Sequence, residues 1–155
     1  MRIELVQPYL TAARDVIAKE IGSSVVPGRV ALKKPPASTE DISILIGVTG
    51  KVQGVLMLMM PIRTALGIVG RMSGTEFPEM DEMAQSAIAE MANVISGRAG
   101  IELAAGGAET TISPPTVLMG GKGGTISTLN IPIFSIPLQT EFGEVALEVA
   151  LKETA

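Results

Sequence analysis

The sequence predicts a mixed α/β (α+β) fold, in which a mainly antiparallel sheet packs against a long helix and two further helices. Some segments carry apolar residues at helical spacing, whereas others are almost continuously apolar over strand length and are separated by glycine or proline. These segments follow one another without a linker or a second core. With 46% hydrophobic residues in a chain of 155, residues 1–155 are expected to form a single domain.

Three segments have the spacing and the end signals of helices. The first contains Pro8, which is tolerated in a first helical turn, and is followed by Gly22, which favours a helix end. The second ends near Gly74, and Asp81 is a suitable N-cap for the free backbone amides of the third. The predicted helices span residues 8–21, 62–72 and 81–103.

Two long apolar segments, 42–48 and 52–60, flank a short glycine-containing turn and therefore predict a β-hairpin. Both segments lack polar alternation, as expected of strands covered on both faces, and the three methionines of the second are expected in the core. Pro132 and Pro137 suit an edge strand, because proline cannot donate to a ladder. The remaining predicted strands span 25–38 (a strand or loop), 110–113, 116–119, 124–137 and 144–152.

The composition excludes several classes of function. The chain has no cysteine and no histidine, which excludes thiolate metal sites, cysteine nucleophiles and histidine-based catalysis. A net charge of -4, without a long run of one sign, gives no basis for nucleic-acid binding. The most apolar stretch, 52–62, is too short to span a bilayer, and no secretory signal is expected in the N-terminal residues, whose apolar run is interrupted. A cytoplasmic protein without membrane contact is expected.

The third predicted helix carries a narrow polar stripe beside its apolar face. Ser86, Glu90, Asn93 and Gly97 recur at i, i+4, i+7 and i+11 and therefore lie on one side of the helix. An ordinary solvated face is the simplest interpretation of Glu-x-x-Asn by itself. Asparagine is nevertheless unfavourable in mid-helix, and the small residues beside it leave room for a partner surface. The face packed on the sheet is expected to contain Ala84, Ala87, Met91 and Val94, with Ile88, Ala92 and Ile95 adjacent.

Glutamate and asparagine suffice for one kind of hydrolysis without histidine, cysteine or a metal cluster. A carboxamide is a poor base, but it can hold a water molecule by accepting one hydrogen bond while donating another. Such positioning suffices only for a bond that is already reactive, and acyl phosphates are bonds of this kind. The glutamine that orients the attacking water in GTPases is an analogous case.

The motif and its neighbourhood resemble the CheC/CheX/FliY family of phosphatases. Ser86-x3-Glu90-x2-Asn93 is followed after 21 residues by Pro115, which matches the family pattern of Asp or Ser, Glu, Asn and a distant Pro. The segment 112–117 (ISPPTV) resembles the Pro-Pro-Thr-Val strand of that family. Residues 46–50 (IGVTG) also resemble its hairpin. The resemblance extends over most of the chain.

The resemblance implies a phosphatase that removes the phosphoryl group from the aspartate of a CheY-like response regulator in chemotaxis. It implies that Glu90 docks a lysine of the receiver and that Asn93 orients the attacking water. The Mg²⁺ ion would belong to the receiver, so this chain would need no cofactor of its own. Ser86 and Pro115 match outer motif positions, and Pro115 is expected to shape a strand that supports the helix. The resemblance also implies a homodimer, made by joining sheets, with one site per chain.

Two other functions remain open at this point. Flagellar switch proteins such as FliM share the fold that the resemblance implies without its phosphatase activity, so a non-catalytic domain that binds the receiver or the switch is the main alternative. A small-molecule binding domain is the third interpretation. Residues 120–125 (GGKGGT) lack phosphate-loop spacing and predict a turn between strands. Arg63, Arg71 and Arg98 are either surface charges or aids to docking an acidic receiver.

Overall fold

In the computed structural model, which describes residues 3–154, a mainly antiparallel sheet has three helices packed on one face. The predicted fold class is confirmed. The helices of the described chain are α1 (Ile3–Ile21), α2 (Ile62–Ser73) and α3 (Glu82–Ala105). Its strands are β1 (Val26–Pro27), β2 (Ala31–Lys33), β3 (Ala37–Ser38), β4 (Ile42–Gly50), β5 (Val52–Met60), β6 (Thr110–Ile112), β7 (Thr116–Met119), β8 (Thr125–Ile126), β9 (Ile133–Thr140) and β10 (Gly143–Glu153).

The main sheet has the strand order β1-β9-β10-β5-β4-β6, with β2 also paired to β9 and β7 also paired to β4. All of its pairings in the described chain are antiparallel. The predicted hairpin is β4–β5, in which Ile42 faces Met60 and Val48 faces Gly54. A small second sheet joins β3 to β8.

The central strands are covered on both faces, as their continuous apolar character predicts. Along β10, Leu147 and Val149 belong to the core beneath the helices, whereas Ala150 belongs to a second cluster on the opposite face. The three methionines of β5 are all buried: Met60 lies on the helix side and Met57 and Met59 lie on the other side. Residues of β3, β8 and the segment before β9 close that second face, namely Ala37, Ile126 and Ile131.

Helix α1 begins earlier than the sequence predicts. Pro8 lies inside the helix, although the prediction placed it in the first turn. Proline has no N–H to donate to the carbonyl of Glu4, so a mid-helix proline is normally unfavourable. Leu5 and Val6 are nevertheless buried in the core, with 5% and 1% exposure. Tertiary packing of this first turn therefore outweighs the local cost of Pro8.

The prediction of one strand over 124–137 is wrong. The segment contains the short strand β8, a connecting segment and the first residues of β9. Pro132 lies outside both strands, whereas Pro137 lies in β9. The carbonyl of Pro137 accepts a hydrogen bond from the Gly28 amide at 2.7 Å, on the side where β1 and β2 leave a gap. A residue in a strand directs its backbone nitrogen and its carbonyl to the same edge. The nitrogen of Pro137, which carries no hydrogen, therefore faces the same gap between β1 and β2.

An ion-pair corner ties the ends of α1 and α2 to the turn between β9 and β10. Arg71 donates to both carboxylate oxygens of Glu141, at 3.0 and 2.9 Å, and to the Ile21 carbonyl at 2.7 Å. Its guanidinium lies 5.0 Å from the centre of the Phe142 ring. Ser23 donates to the same carboxylate at 2.6 Å. These contacts give Arg71 a role within its own chain. We call these five residues the Arg71 corner.

Candidate functional site

Helix α3 is held by local signals that the sequence predicts. Asp81 is its N-cap, and the Asp81 carboxylate accepts a hydrogen bond from the Ala84 amide at 2.9 Å. Gln85 reaches back to the Met80 carbonyl at 2.9 Å, and the helix ends before Gly106. The side facing the rest of the protein is buried at Ala84, Ile88, Met91, Ala92, Ile95, Ser96, Ala99 and Leu103.

The side of α3 that is buried differs from the side that the sequence predicts to be buried. The prediction of a face through Val94 is wrong, because the Val94 side chain is 41% exposed. Ala87 is only half-buried at the margin of the core. The helix is apolar around most of its circumference, so its own periodicity does not decide which arc packs against the sheet and α1. Contacts with the other elements centre the buried arc on Ile88 and Ile95.

The polar stripe faces away from the core. Ser86 and Glu90 are exposed, and Asn93 and Gly97 are half-buried. Within residues 3–154, neither Glu90 nor Asn93 forms a hydrogen bond or an ion pair with another side chain. A Cβ atom built on Gly97 would meet nothing within 4 Å. The structure therefore brings Ser86, Glu90 and Asn93 together on one open helix surface, with their polar groups available to another molecule.

Pro115 lies outside α3, between the edge strands β6 and β7. Val48 of β4 faces Ile112, and Leu45 of β4 faces Thr116. The two positions in β4 are three residues apart, whereas their partners are four residues apart, so one extra residue forms a bulge in the edge. Ser113 secures this bulge, because its hydroxyl accepts from the Gly47 amide at 2.8 Å. Helix α3 contacts both β6 and β7. Pro115 thus lies in the connection between two short strands beside α3, and not within either strand.

The other sequence candidates have different positions. The glycine-rich segment 120–124 is a turn leading from β7 to β8, in which the Gly124 amide donates to the Gly121 carbonyl at 2.8 Å. Arg63 and Arg98 are exposed and form no ion pair in the described part of the chain. An open groove of about 780 Å³ lies beside the Arg71 corner, with Phe77 and Phe142 in its lining.

Residues 3–154 contain no cluster of three or more acidic side chains placed to hold a metal ion. No helix among them has the length and apolar character needed to cross a bilayer.

Sequence reasoning missed three large apolar side chains that lie beside the stripe on α3. Met83 and Ile101 are 71% and 72% exposed, and Val94 is exposed as described above. Met83, Val94 and Ile101 lie seven, four and eleven residues from Glu90, and these spacings are the available signal, because they place residues on neighbouring faces of a helix. The expectation that α3 buries its apolar residues concealed that signal.

Comparisons with known proteins agree on one family. A family model described as chemotaxis phosphatase CheX matches residues 42–139, a range that contains the whole of α3 and Pro115. The CheY-P phosphatase CheX of Thermotoga maritima is 29% identical over 141 residues, which cover 87% of this chain and 91% of that protein.

Solved structures of the same family superpose on nearly the whole chain. A chemotaxis protein CheX from Desulfovibrio desulfuricans is 30% identical, with a TM-score of 0.85 over 98% of this chain and 100% of that one. The CheX chain of a CheX–CheY–BeF3–Mg²⁺ complex from Borrelia burgdorferi is 26% identical, with a TM-score of 0.82 and coverage of 98% and 100%. The chain with the open Glu90 and Asn93 stripe therefore belongs to the chemotaxis phosphatase CheX family, and its enzymatic class is that of a phosphatase, a hydrolase.

Proposed function

We propose that this protein hydrolyses the aspartyl phosphate of a phosphorylated CheY-like receiver in chemotaxis, with Asn93 orienting the attacking water and Glu90 docking the receiver. The observation that carries the proposal is that the exposed Glu90 and the half-buried Asn93 lie together on α3 and have no hydrogen-bond or ion-pair partner in the described chain. Membership of a phosphatase family supports it. So does the relative named as a CheY-P phosphatase.

In the proposed reaction, the oxygen of a water molecule attacks the phosphorus atom of the receiver's phosphoaspartate. The bond between phosphorus and the aspartate oxygen breaks, which yields the free carboxylate and inorganic phosphate that retains the protons of the water. The Asn93 carboxamide oxygen accepts a hydrogen bond from the water and its NH₂ group donates to a neighbouring oxygen. Positioning of this kind can lower a barrier by up to about 7–11 kcal/mol.

Glu90 has the complementary role of binding the receiver. An exposed carboxylate without a cation of its own chain is free to pair with a lysine of the partner. Mg²⁺ is proposed to arrive with the receiver. The related Borrelia complex contains CheY, BeF3 and Mg²⁺ together with CheX, which supports this assignment.

The test is the lifetime of the phosphoryl group on a candidate receiver, with and without this protein. We expect Asn93→Ala to lower the maximal rate about a hundredfold or more while receiver binding persists, because the carboxamide acts in the transition state. Ser86→Ala is the matched control on the same stripe, and its rate should stay within about threefold of the wild type. Hydrolysis by Asn93→Ala at the wild-type rate would disprove the mechanism.

The same experiment separates the phosphatase from the non-catalytic alternative. A protein that only binds the receiver or the flagellar switch would leave the phosphoryl lifetime unchanged at saturation. Wild-type protein that binds without shortening this lifetime would therefore replace our proposal with the binding function.

We also propose that residues 1–155 form one domain and that this domain acts as a homodimer. Strand β7 pairs only with β4 in the described chain, so its other edge is available for a second copy. Leu118 and Met119 on this strand are 39% and 40% exposed, which adds apolar surface to the open edge. Light scattering should give twice the chain mass, and a concentration-independent monomer would contradict the proposal.

A further inference from the structure

We propose that Met83, Val94 and Ile101 form an apolar flank of α3 that docks against the phosphorylated receiver and determines affinity for it. This proposal rests on the function proposed above and identifies the surface that the partner covers. We call these three residues the α3 flank. Their proposed role is binding, and none of them takes part in the chemistry.

The three side chains lie along one line of the helix next to Glu90. Met83 precedes Glu90 by seven residues, and Val94 and Ile101 follow it by four and eleven. At 100° per residue, these four positions fall within about 40° of one another around the helix axis. Met83 and Ile101 are separated by about 27 Å along the axis. A flat partner that contacts Glu90 therefore meets the flank on the same side.

The flank is not part of the hydrophobic core of the described chain. Met83 and Ile101 are 71% and 72% exposed, and Val94 is 41% exposed. None of the three contributes to the main core or to the residues packed around it. A single exposed apolar residue is ordinary on a protein surface. Three of them in line with an unpaired carboxylate constitute a coherent surface for recognition.

Binding by Glu90 alone would be too weak to hold a receiver. An ion pair exposed to water increases affinity by about fivefold at most, whereas a micromolar complex requires about a millionfold. The remainder must come from apolar surface and specific contacts near the site. The receiver is the occupant of the flank because Asn93 can reach a phosphoaspartate only if the receiver lies directly on this part of α3. A second copy of the chain in that position would exclude the receiver.

A groove next to Ile101 extends the flank toward α1. Its volume is about 160 Å³, and Pro8, Thr11 and Arg98 line it together with Ile101. A side chain of the receiver that contacts Ile101 can enter this groove. The groove therefore lies at the end of the flank that is nearer the C-terminus of α3.

The test compares Met83→Gln and Ile101→Gln with the wild-type protein. Each variant should raise the receiver concentration that gives half-maximal dephosphorylation about tenfold, because it removes one apolar contact from the complex. The maximal rate should remain within about twofold. The double variant should show about a hundredfold effect, because the two sites are far apart and their effects should multiply. Glutamine retains good helix propensity, so folding should be preserved.

Leu129→Gln is the matched control, because Leu129 is 71% exposed and lies in the segment between β8 and β9, outside α3. It should leave the half-maximal concentration unchanged. Shifts below twofold for both α3 variants, or shifts equal to that of the control, would overturn the proposal. A fall in maximal rate with unchanged half-maximal concentration would also overturn it, as would a change in self-association without a change in receiver binding.

A binding measurement separates failure of this proposal from failure of the proposed mechanism. Met83→Gln is combined with Asn93→Ala, and binding to a receiver loaded with beryllofluoride and Mg²⁺ is titrated. A tenfold loss of receiver binding relative to Asn93→Ala alone supports the docking role of the flank even where Asn93 proves dispensable for hydrolysis. Unchanged receiver binding refutes this docking role even where Asn93 is essential.

Discussion

The polar stripe of α3 and the Arg71 corner are two polar surfaces of the same molecule that differ in the hydrogen bonds and ion pairs they form within the chain. In the corner, Arg71 is bonded to Glu141 through two nitrogens, to a backbone carbonyl and to an aromatic face. In the stripe, Glu90 and Asn93 have no partner within residues 3–154. Both regions carry exposed charge, so exposure alone does not distinguish them.

This difference indicates which polar groups serve the fold and which are available to another molecule. A carboxylate that already accepts three hydrogen bonds, as Glu141 does, contributes to the geometry of a connection. Glu90 contributes nothing comparable to its own chain, so its removal should be almost neutral for folding. Activity and stability measured on the same variants separate the two regions.

The largest effect is expected from reversing the charge of the stripe. Glu90→Lys should lower the rate at subsaturating receiver at least about a hundredfold, because it places two positive charges against each other in the complex. Its thermal unfolding should be unchanged, since no ion pair of the described chain is lost. Glu141→Gln is the comparison variant in the corner and should show the reverse pattern. A Glu90→Lys protein with wild-type activity would refute the docking role.

Two helical glycines should respond in opposite directions when changed to alanine. A Cβ atom on Gly67 would clash with Cδ1 of Phe142 and would lie 2.9 Å from its Cβ, so rotation of the ring does not relieve the clash. Gly67→Ala should therefore lower the free energy of unfolding by about 1–3 kcal/mol. Gly97→Ala meets open space and should raise it by up to about 1 kcal/mol. Urea unfolding midpoints measure both changes, and destabilisation by Gly97→Ala would mean that the stripe is covered by its own chain.

The smallest expected effect is a change in acid sensitivity. Hydrogen bonds from Arg71, followed by the one from Ser23, lower the pKa of Glu141 below its ordinary value of 4.5. A lowered pKa in the folded state stabilises the protein above about pH 4.5, and this contribution is lost as the pH falls through the folded-state pKa. The Arg71→Met variant should therefore lose less stability than the wild type between about pH 5 and pH 3.

Arg63→Met is the control for that experiment, because Arg63 lies on the same helix without an ion pair in the described residues. Its unfolding free energy should follow the wild-type pH dependence. If the unfolding free energy of Arg71→Met had the same pH dependence as that of the wild type, the corner would not hold Glu141 in its ionised form.

Local signals were sufficient to predict much of the fold. Asp81 and Gly74 mark helix ends as predicted, because caps act through backbone groups only a few residues away. The first amide of α2 illustrates the limit of such signals. The Ile62 amide donates to the Asp41 carboxylate at 3.0 Å, and this partner lies beyond the β4–β5 hairpin. The start of α1 was missed for a similar reason, since burial of its first turn depends on distant segments.

The relative positions of Ser86, Glu90 and Asn93 follow directly from the sequence, because the constant rotation per residue places these spacings on one side of any helix. Which arc of α3 is buried, and that Val94 lies outside it, depends on the packing of the folded protein. This packing also decided that Arg71 is committed to Glu141 and that Pro115 lies at a bulge. The physical reason is that spacing along a chain defines angles around one axis, whereas burial depends on elements brought together from distant parts of the sequence.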